Sequence, residues 1–188
     1  MPEIFVFGGC NGSGKTTLAN SFLSSEPNIE YVNADIIAAQ LNSSDVEVVA
    51  IQASRIMLTR LNDLVASEVD FAFETTLAAR SFAKFLRKCK NKGYQINLVY
   101  VWLKSVELAT NRVARRVASG GHNIPEATII RRYHRGRQNF IELYMPIADF
   151  WRVYDNSEAK IEPIAYCLNS RQPPTILQAD IWQKIIDY

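Results

Sequence analysis

Residues 8–17 read GGCNGSGKTT, and within them Gly9-x-x-x-x-Gly14-Lys15-Thr16 fits the pattern of a loop that wraps nucleotide phosphates. Glycine in this loop permits backbone conformations closed to residues with a Cβ, so successive N–H groups can converge on phosphate oxygens. Lys15 is placed to reach the β- and γ-phosphates and the Thr16 hydroxyl to ligate Mg2+, while Thr17 opens the following helix. The nucleotide-binding candidates are therefore Asn11, Gly12, Ser13, Gly14, Lys15, Thr16 and Thr17. A random match in a chain of 188 residues has a probability of roughly 1%. The flanks argue further against chance. Ile4-Phe5-Val6-Phe7 suits a buried parallel strand, and Lys15 to Leu23 carries apolar residues at helical spacing, which is the strand, loop, helix order a P-loop requires.

Outward from that segment the pattern alternates. Tyr31 to Asp35 reads as a second strand ending in polar groups, and from Val46 to Glu68 apolar residues recur at threes and fours. Phe71 to Thr75 is a third strand, Ser81 to Cys89 a helix, Ile96 to Leu103 a strongly apolar fourth strand, and Val106 to Ala118 another helix. Phe150 to Tyr154 and Ile161 to Leu168 could add strands before a closing helix, Gln178 to Ile186. Strands alternating with helices predict an α/β protein with a mainly parallel sheet, right-handed crossovers and helices on its faces. Ligands then bind beyond the carboxyl ends of the strands, which directs the P-loop, Asp35 and Glu74 toward one crevice.

Length and composition fit a single domain over 1–188. The apolar share of 48% and charged share of 21% are ordinary for a globular protein, and no low-complexity tract or repeat is visible. The N-terminus lacks a signal-peptide pattern and no apolar run approaches membrane-spanning length, so a cytoplasmic location without membrane contact is expected. Cys10, Cys89 and Cys167 show no metal spacing and are expected to be reduced. Cys10 stands inside the phosphate loop, where a helix N-terminus could favour its thiolate unless the side chain points away.

Phosphoryl transfer asks a protein for a positioned nucleophile, a metal and positive charge around the moving group. Asp35 is placed to take a proton from an acceptor hydroxyl; its other reading is the N-cap of the next helix. Glu74, at the end of an otherwise apolar strand, suits substrate hydroxyls or a water-bridged Mg2+, or else a strand-end ion pair. Between Lys104 and Arg137 stand eight basic residues against two acidic ones, +6 in a chain whose total is only +2, so the remainder carries −4. Within this segment Ser119-Gly120-Gly121-His122-Asn123-Ile124-Pro125 reads as a flexible loop, and the region 112–137 as a basic lid. Val106, Ala109, Val113 and Val117 form the buried stripe of its first helix, flanked by Arg112 and Arg116, with Arg115 opposite. Arg116 is the first choice for the γ-phosphoryl group, as an internal arginine finger; a solvated surface role is the alternative. Arg132 is a candidate nucleotide contact, His122 either donates to phosphate or caps the loop, and Asn156 is a candidate for adenine.

Four separated segments, GGCNGSGKTT at 8–17, VNAD at 32–35, FETTLAAR at 73–80 and RVARRVASGGHNIPEATIIRRYHRG at 112–136, followed by YDNS at 154–157, resemble the zeta-toxin family of P-loop kinases and its bacterial small-ATPase relatives. The resemblance implies transfer of the ATP γ-phosphate to a small-molecule hydroxyl, which in the best-known toxins belongs to UDP-N-acetylglucosamine. It further implies Asp35 as base, Lys15 and Thr16 at ATP and Mg2+, Glu74 and Thr75 near the acceptor, Arg80 near substrate, and Arg116 in the lid. Toxin members can carry an arginine just before the lid proline, where this chain offers His122, so their sugar-nucleotide specificity transfers less well than the ATP half. A separate antitoxin protein is compatible with the resemblance, though no such segment is visible in the chain. Two other readings compete. The basic segment with Tyr133 and Phe140 suggests a nucleic-acid-directed kinase or binder, which the near-neutral total charge disfavours. A nucleotide-binding switch without transfer is the other, although neither Asn-Lys-x-Asp nor Leu-Ser-Gly-Gly-Gln occurs.

Overall fold

The computed structural model describes residues 1–41, 46–121, 123–169 and 172–187, with backbone only at 46 and 47. In chain order the elements are β1 (Glu3–Gly8), α1 (Lys15–Leu23), β2 (Glu30–Val32), α2 (Ala34–Ala39), α3 (Val46–Ala66), β3 (Phe71–Thr75), α4 (Arg80–Asn91) and β4 (Gln95–Trp102). They continue with α5 (Val106–Ala118), α6 (Glu126–Asn139), a one-turn π-helical segment (Phe140–Tyr144), β5 (Phe150–Asp155), β6 (Glu162–Cys167), β7 (Thr175–Ile176) and α7 (Ala179–Ile186).

All seven strands form one sheet in the order β2-β3-β1-β4-β5-β6-β7. The first five are parallel and the last two antiparallel, so the expected α/β sheet is present with a hairpin added at one edge. β6 reverses because only a short turn joins it to β5, whereas a parallel partner would need a crossover helix. Alternation within the central strands sorts residues between the two faces. Ile4 and Val6 stand in register with Phe71 and Phe73, and with Ile96 and Leu98, on the face that carries the main core. That core includes Met57, Leu61 and Leu64 of α3, Phe82, Phe85 and Leu86 of α4, and Phe140 and Tyr144 of the π segment. Phe7 and Ala72 face the other way and pack with Ala19 of α1.

Two sequence expectations change in ways that matter for the site. The second strand stops at Val32, and Asp35 lies in the first turn of α2 instead of at a strand end. Asn33 ends the strand, because its side-chain oxygen accepts the Asp35 N–H at 2.7 Å and caps α2. The cap is therefore Asn33, and the Asp35 carboxylate is left to the crevice. Neither α2, the π segment nor β7 follows from the periodicity, since each is a turn or two long. Among the described residues no helix is long and apolar enough to cross a membrane.

Candidate active site

The P-loop runs from the end of β1 into α1 with its glycines in conformations that other residues resist. Gly9 has φ +147 and Gly14 φ +90, and a Cβ on Gly14 would stand 2.5 Å from the side-chain nitrogen of Asn156. The Asn156 amide donates to the Ser13 carbonyl at 2.8 Å, so the residue proposed for adenine braces the loop. Lys15 is only 5% exposed; its ammonium donates to the Cys10 carbonyl at 2.9 Å. Among the described residues no carboxylate forms an ion pair with it. A buried cation without a counter-ion carries a desolvation cost that an incoming phosphate would offset. Asn11 and Ser13 are buried as well, and among the described residues the Ser13 hydroxyl has no hydrogen-bond partner.

Cys10 does not line the crevice. Its thiol is buried in the small core formed with Leu103, Ala109, Val113, Ile129 and Tyr133, and that burial pushes its pKa up to about 11 against the pull of Lys15. Of the two readings the sequence left open, the structure takes the one in which the side chain points away into a core, and desolvation outweighs any pull of the helix end.

Opposite the loop, β3 delivers Glu74. Its Oε2 accepts from the Thr16 hydroxyl at 2.8 Å and from the Tyr31 hydroxyl at 2.5 Å, and Asn33 Nδ2 donates to that tyrosine oxygen at 3.4 Å. Burial, then the Glu74 charge, hold the Tyr31 phenol well above its usual range, so it stays a donor. β2, β3 and β1 are neighbours in the sheet, which is why Tyr31, Glu74 and Thr16 meet although they are far apart in sequence. Among the described residues no cluster of three or more His, Cys, Asp or Glu could hold a metal unaided.

Asp35 faces Arg116 across the crevice, with Nη1 and Oδ2 3.7 Å apart and both side chains over two-fifths exposed. A pair so long and solvated contributes little, so either partner can exchange it for a ligand. Arg132 reaches the P-loop, donating to the Asn11 side-chain oxygen at 3.4 Å. Burial lowers its pKa and the Asp35 charge opposes that, but a guanidinium remains charged in either case. Arg112 lies against Gly12 and donates to the Ser157 carbonyl at 3.4 Å, beside the loop and not over an open mouth. Arg137 leaves the site altogether: it donates to the carbonyls of Lys184, Ile185 and Asp187 at the end of α7. His122 lies outside the described residues.

The basic segment is rooted at its base. Val113 and Ile129 pack with Cys10, and the Tyr133 hydroxyl donates to the Leu103 carbonyl at 2.7 Å, so α5 and α6 form a hairpin seated on the P-loop.

One cavity of about 680 Å³ joins Lys15, Asp35, Glu74 and Arg132, whereas Thr16 and Arg116 stand outside its lining. Asn11, Lys15 and Arg132 line it toward the P-loop; Asp35, Glu74 and Thr75 line it between the strand ends; Ile51, Ser54, Met57 and Leu58 of α3 close another side with Phe82. Arg131 and Arg135 join Arg132 along α6. Thr75 is buried and its hydroxyl accepts the Leu77 N–H at 3.1 Å. Arg80, at the exposed start of α4, is not among the lining residues. The α3 wall carried no motif: Ser54 and Arg55 lie beside the buried stripe of Val49, Ala53, Met57 and Leu61, and nothing in their spacing marks them.

The loop between β3 and α4, Thr76 to Ala79, forms the cavity's remaining edge. It turns on Leu77, which is fully buried at φ +59. A left-handed conformation costs a residue with a Cβ roughly 1–2 kcal/mol, and burying the leucine side chain offsets this by about 1.5–3 kcal/mol. The side chain packs beneath the P-loop so closely that a Cβ on Gly8 would stand 2.7 Å from it.

A crystal structure of the AvrRxo1-ORF1:ORF2 complex with ATP superposes with a TM-score of 0.79 at 16% identity, over 98% of this chain and 63% of that one, so this chain spans less than two thirds of its length. The PezAT chromosomal toxin-antitoxin system of Streptococcus pneumoniae gives a TM-score of 0.67 at 18% identity, over 98% of this chain and 77% of that one. Both likenesses speak to the fold, that of P-loop kinases. An uncharacterised protein of Haemophilus influenzae is 33% identical over 125 residues, 66% of this chain and 88% of its own. The family model described as zeta toxin matches residues 1–161, a span that holds the P-loop, Asp35, Glu74 and both arginine helices, and the chain belongs to the zeta-toxin family.

Proposed function

We propose that this protein is an ATP-dependent kinase that moves the γ-phosphoryl group to a hydroxyl of a small molecule, with Asp35 as the base. The observation that carries this reading is the single cavity in which a phosphate-binding end, with its buried and unneutralised Lys15, faces an available carboxylate, Asp35. Membership of the zeta-toxin family supports ATP as donor.

In the proposed reaction the P-loop amides and Lys15 hold the β- and γ-phosphates, while Arg132 and Arg116 meet the negative charge from the α5–α6 side. Asp35 accepts the proton of the acceptor hydroxyl as its oxygen attacks phosphorus in line; the bond from phosphorus to the bridging oxygen breaks and ADP leaves with that electron pair. Thr16 and Glu74 fit Mg2+: their oxygens lie 2.8 Å apart beside Lys15, and this cation is held by few protein oxygens plus phosphates and water. When bound, the ion would neutralise charge on the transferring phosphates.

The acceptor side offers an apolar wall from α3 and Phe82 opposite the arginines of α6, which suits a molecule with a ring system and an anionic group. A UDP-amino sugar, the acceptor suggested by the family resemblance, is the first to try. The PezAT likeness supports looking for a separate protein partner that neutralises the enzyme. The test is ADP formation with a panel of hydroxylated metabolites, followed by product mass. An increase of 80 Da on one acceptor, lost in Asp35→Asn, is expected; nucleotide hydrolysis indifferent to every acceptor would sink the kinase reading.

A further inference from the structure

The loop Thr76 to Ala79 is fastened from outside the site by three contacts on one short stretch. A Cβ on Gly136 would collide with the Thr76 carbonyl, so only glycine lets α6 approach the loop this closely. Asn139 Nδ2 donates to the Leu77 carbonyl at 2.8 Å, and the Tyr144 hydroxyl donates to the Ala79 carbonyl at 2.5 Å. Asn139 is 4% exposed and Tyr144 is 1% exposed, so neither bond is readily exchanged for water.

The π turn explains how both side chains reach one loop. Five residues along an α-helix correspond to a rotation of about 140° away from the starting face. Here Met145 N–H bonds to the Phe140 carbonyl at 2.8 Å, an i to i+5 closure that widens the turn and returns Tyr144 toward the side occupied by Asn139. Phe140 anchors the turn to the sheet by stacking on Tyr100, with ring centroids 4.1 Å apart. The loop so held has Leu77 under the P-loop and Thr76, Ala78 and Ala79 on the cavity.

We infer that Asn139 and Tyr144 are positioning residues for the phosphoryl acceptor: through the π turn they fix the Thr76 to Ala79 loop as the acceptor-side edge of the cavity. The inference rests on the kinase reading above. Neither residue lines the cavity, so they act through the loop and not by contact with substrate.

Two variants test it in the full-length protein. Asn139→Leu removes the donor and strands a buried carbonyl; Tyr144→Phe removes only a hydroxyl and leaves the aromatic packing in place. Hydrogen exchange is expected to quicken about tenfold at the amides of Leu77 to Arg80, with less change in the P-loop and the sheet, the value of about one buried hydrogen bond. With the acceptor found in the panel, its KM should rise about tenfold in Asn139→Leu and about threefold in Tyr144→Phe, while the KM for ATP and acceptor-independent hydrolysis stay near wild type. Exchange quickened evenly over α6 and the sheet, or a fall in kcat with acceptor KM unmoved, would overturn the assignment. Should wild-type protein phosphorylate nothing in the panel, the kinase reading fails and takes the acceptor role with it; the exchange pattern then still decides whether the strap fixes the loop.

Discussion

The phosphate-loop end of the cavity, or donor end, and the end proposed for the acceptor, or acceptor end, are built by opposite strategies. The donor end is one contiguous stretch, Gly8 to Thr17, whose shape comes from its own glycines and from Asn156 and Arg132 leaning on its backbone and side chains. The acceptor end is assembled from α2, α3, the β3–α4 loop and α6, and each contributes a few residues that only the sheet order brings together. A local motif can therefore specify the first, while the second varies with any of four elements.

Substitutions on either side should separate the two ends. The largest effect is expected from Asp35→Asn, which keeps the shape and removes the proton acceptor: acceptor-dependent kcat should fall about 10²–10⁴-fold, with binding of a non-hydrolysable ATP analogue unchanged by calorimetry. Equal loss of nucleotide binding would show that Asp35 belongs to the donor end. Next comes Lys15→Met. It should slow both transfer and acceptor-independent hydrolysis by about a hundredfold, on the order of 3 kcal/mol of lost charge stabilisation. If single-turnover rates with and without acceptor diverged in this variant, the separation of the halves would be wrong.

The same contrast governs what could be read from the chain. α1, α3 and α5 and strands β1, β3 and β4 follow their periodicity closely, because each is long enough for its buried face to repeat. Asp35 was legible as a candidate, but its setting was not: Asn33 and Asp35 are both good caps, and the hydrogen bond from Asp35 N to Asn33 decides which one it is. Tyr31 gave no signal at all, since a tyrosine in a strand is ordinary, and it acquires meaning only when β3 places Glu74 beside its hydroxyl. The arginines show the limit most clearly. Spacing along α5 and α6 puts Arg116, Arg132 and Arg137 in one basic segment, yet the fold sends Arg132 to the P-loop, sets Arg116 against Asp35 and turns Arg137 to the end of α7. Charge is visible in a sequence, whereas the element that receives it is a tertiary fact.

A smaller effect sharpens the claim that the donor end is shaped by backbone. Gly14→Ala forces a residue with a Cβ to φ +90 and displaces the Asn156 amide from the Ser13 carbonyl. The conformational part alone costs roughly 1–2 kcal/mol, which for a chain of this size lowers Tm by about 2–8 °C. Nucleotide affinity should drop with it. Asn156→Ala, which removes the brace but leaves the glycine, should lose about 1 kcal/mol, measured by urea unfolding. A Gly14→Ala variant as stable as wild type would mean that the loop can be reshaped freely and that its glycines are not what specifies it.

The smallest effect concerns Cys10, the one reactive residue type inside the loop. Because burial raises its pKa to about 11 from an ordinary 9.0, the folded state favours the neutral thiol. At pH 8 its thiolate fraction should be about a hundredfold below that of an exposed cysteine, and iodoacetamide should leave both the residue and the ATP affinity intact by intact-protein mass and calorimetry. The sign of the linked stability follows. The thiol contributes fully below pH 9, and its contribution is lost as pH rises from 9 toward 11, because the unfolded chain ionises first. Cys89, also raised to about 11 by burial, acts in the same direction, so Cys10→Ala should flatten only part of the decline in Tm across that window. Rapid alkylation of Cys10 that ATP prevents would put an exposed thiolate at the phosphates, and the donor end would then owe its chemistry to a side chain as well as to its backbone.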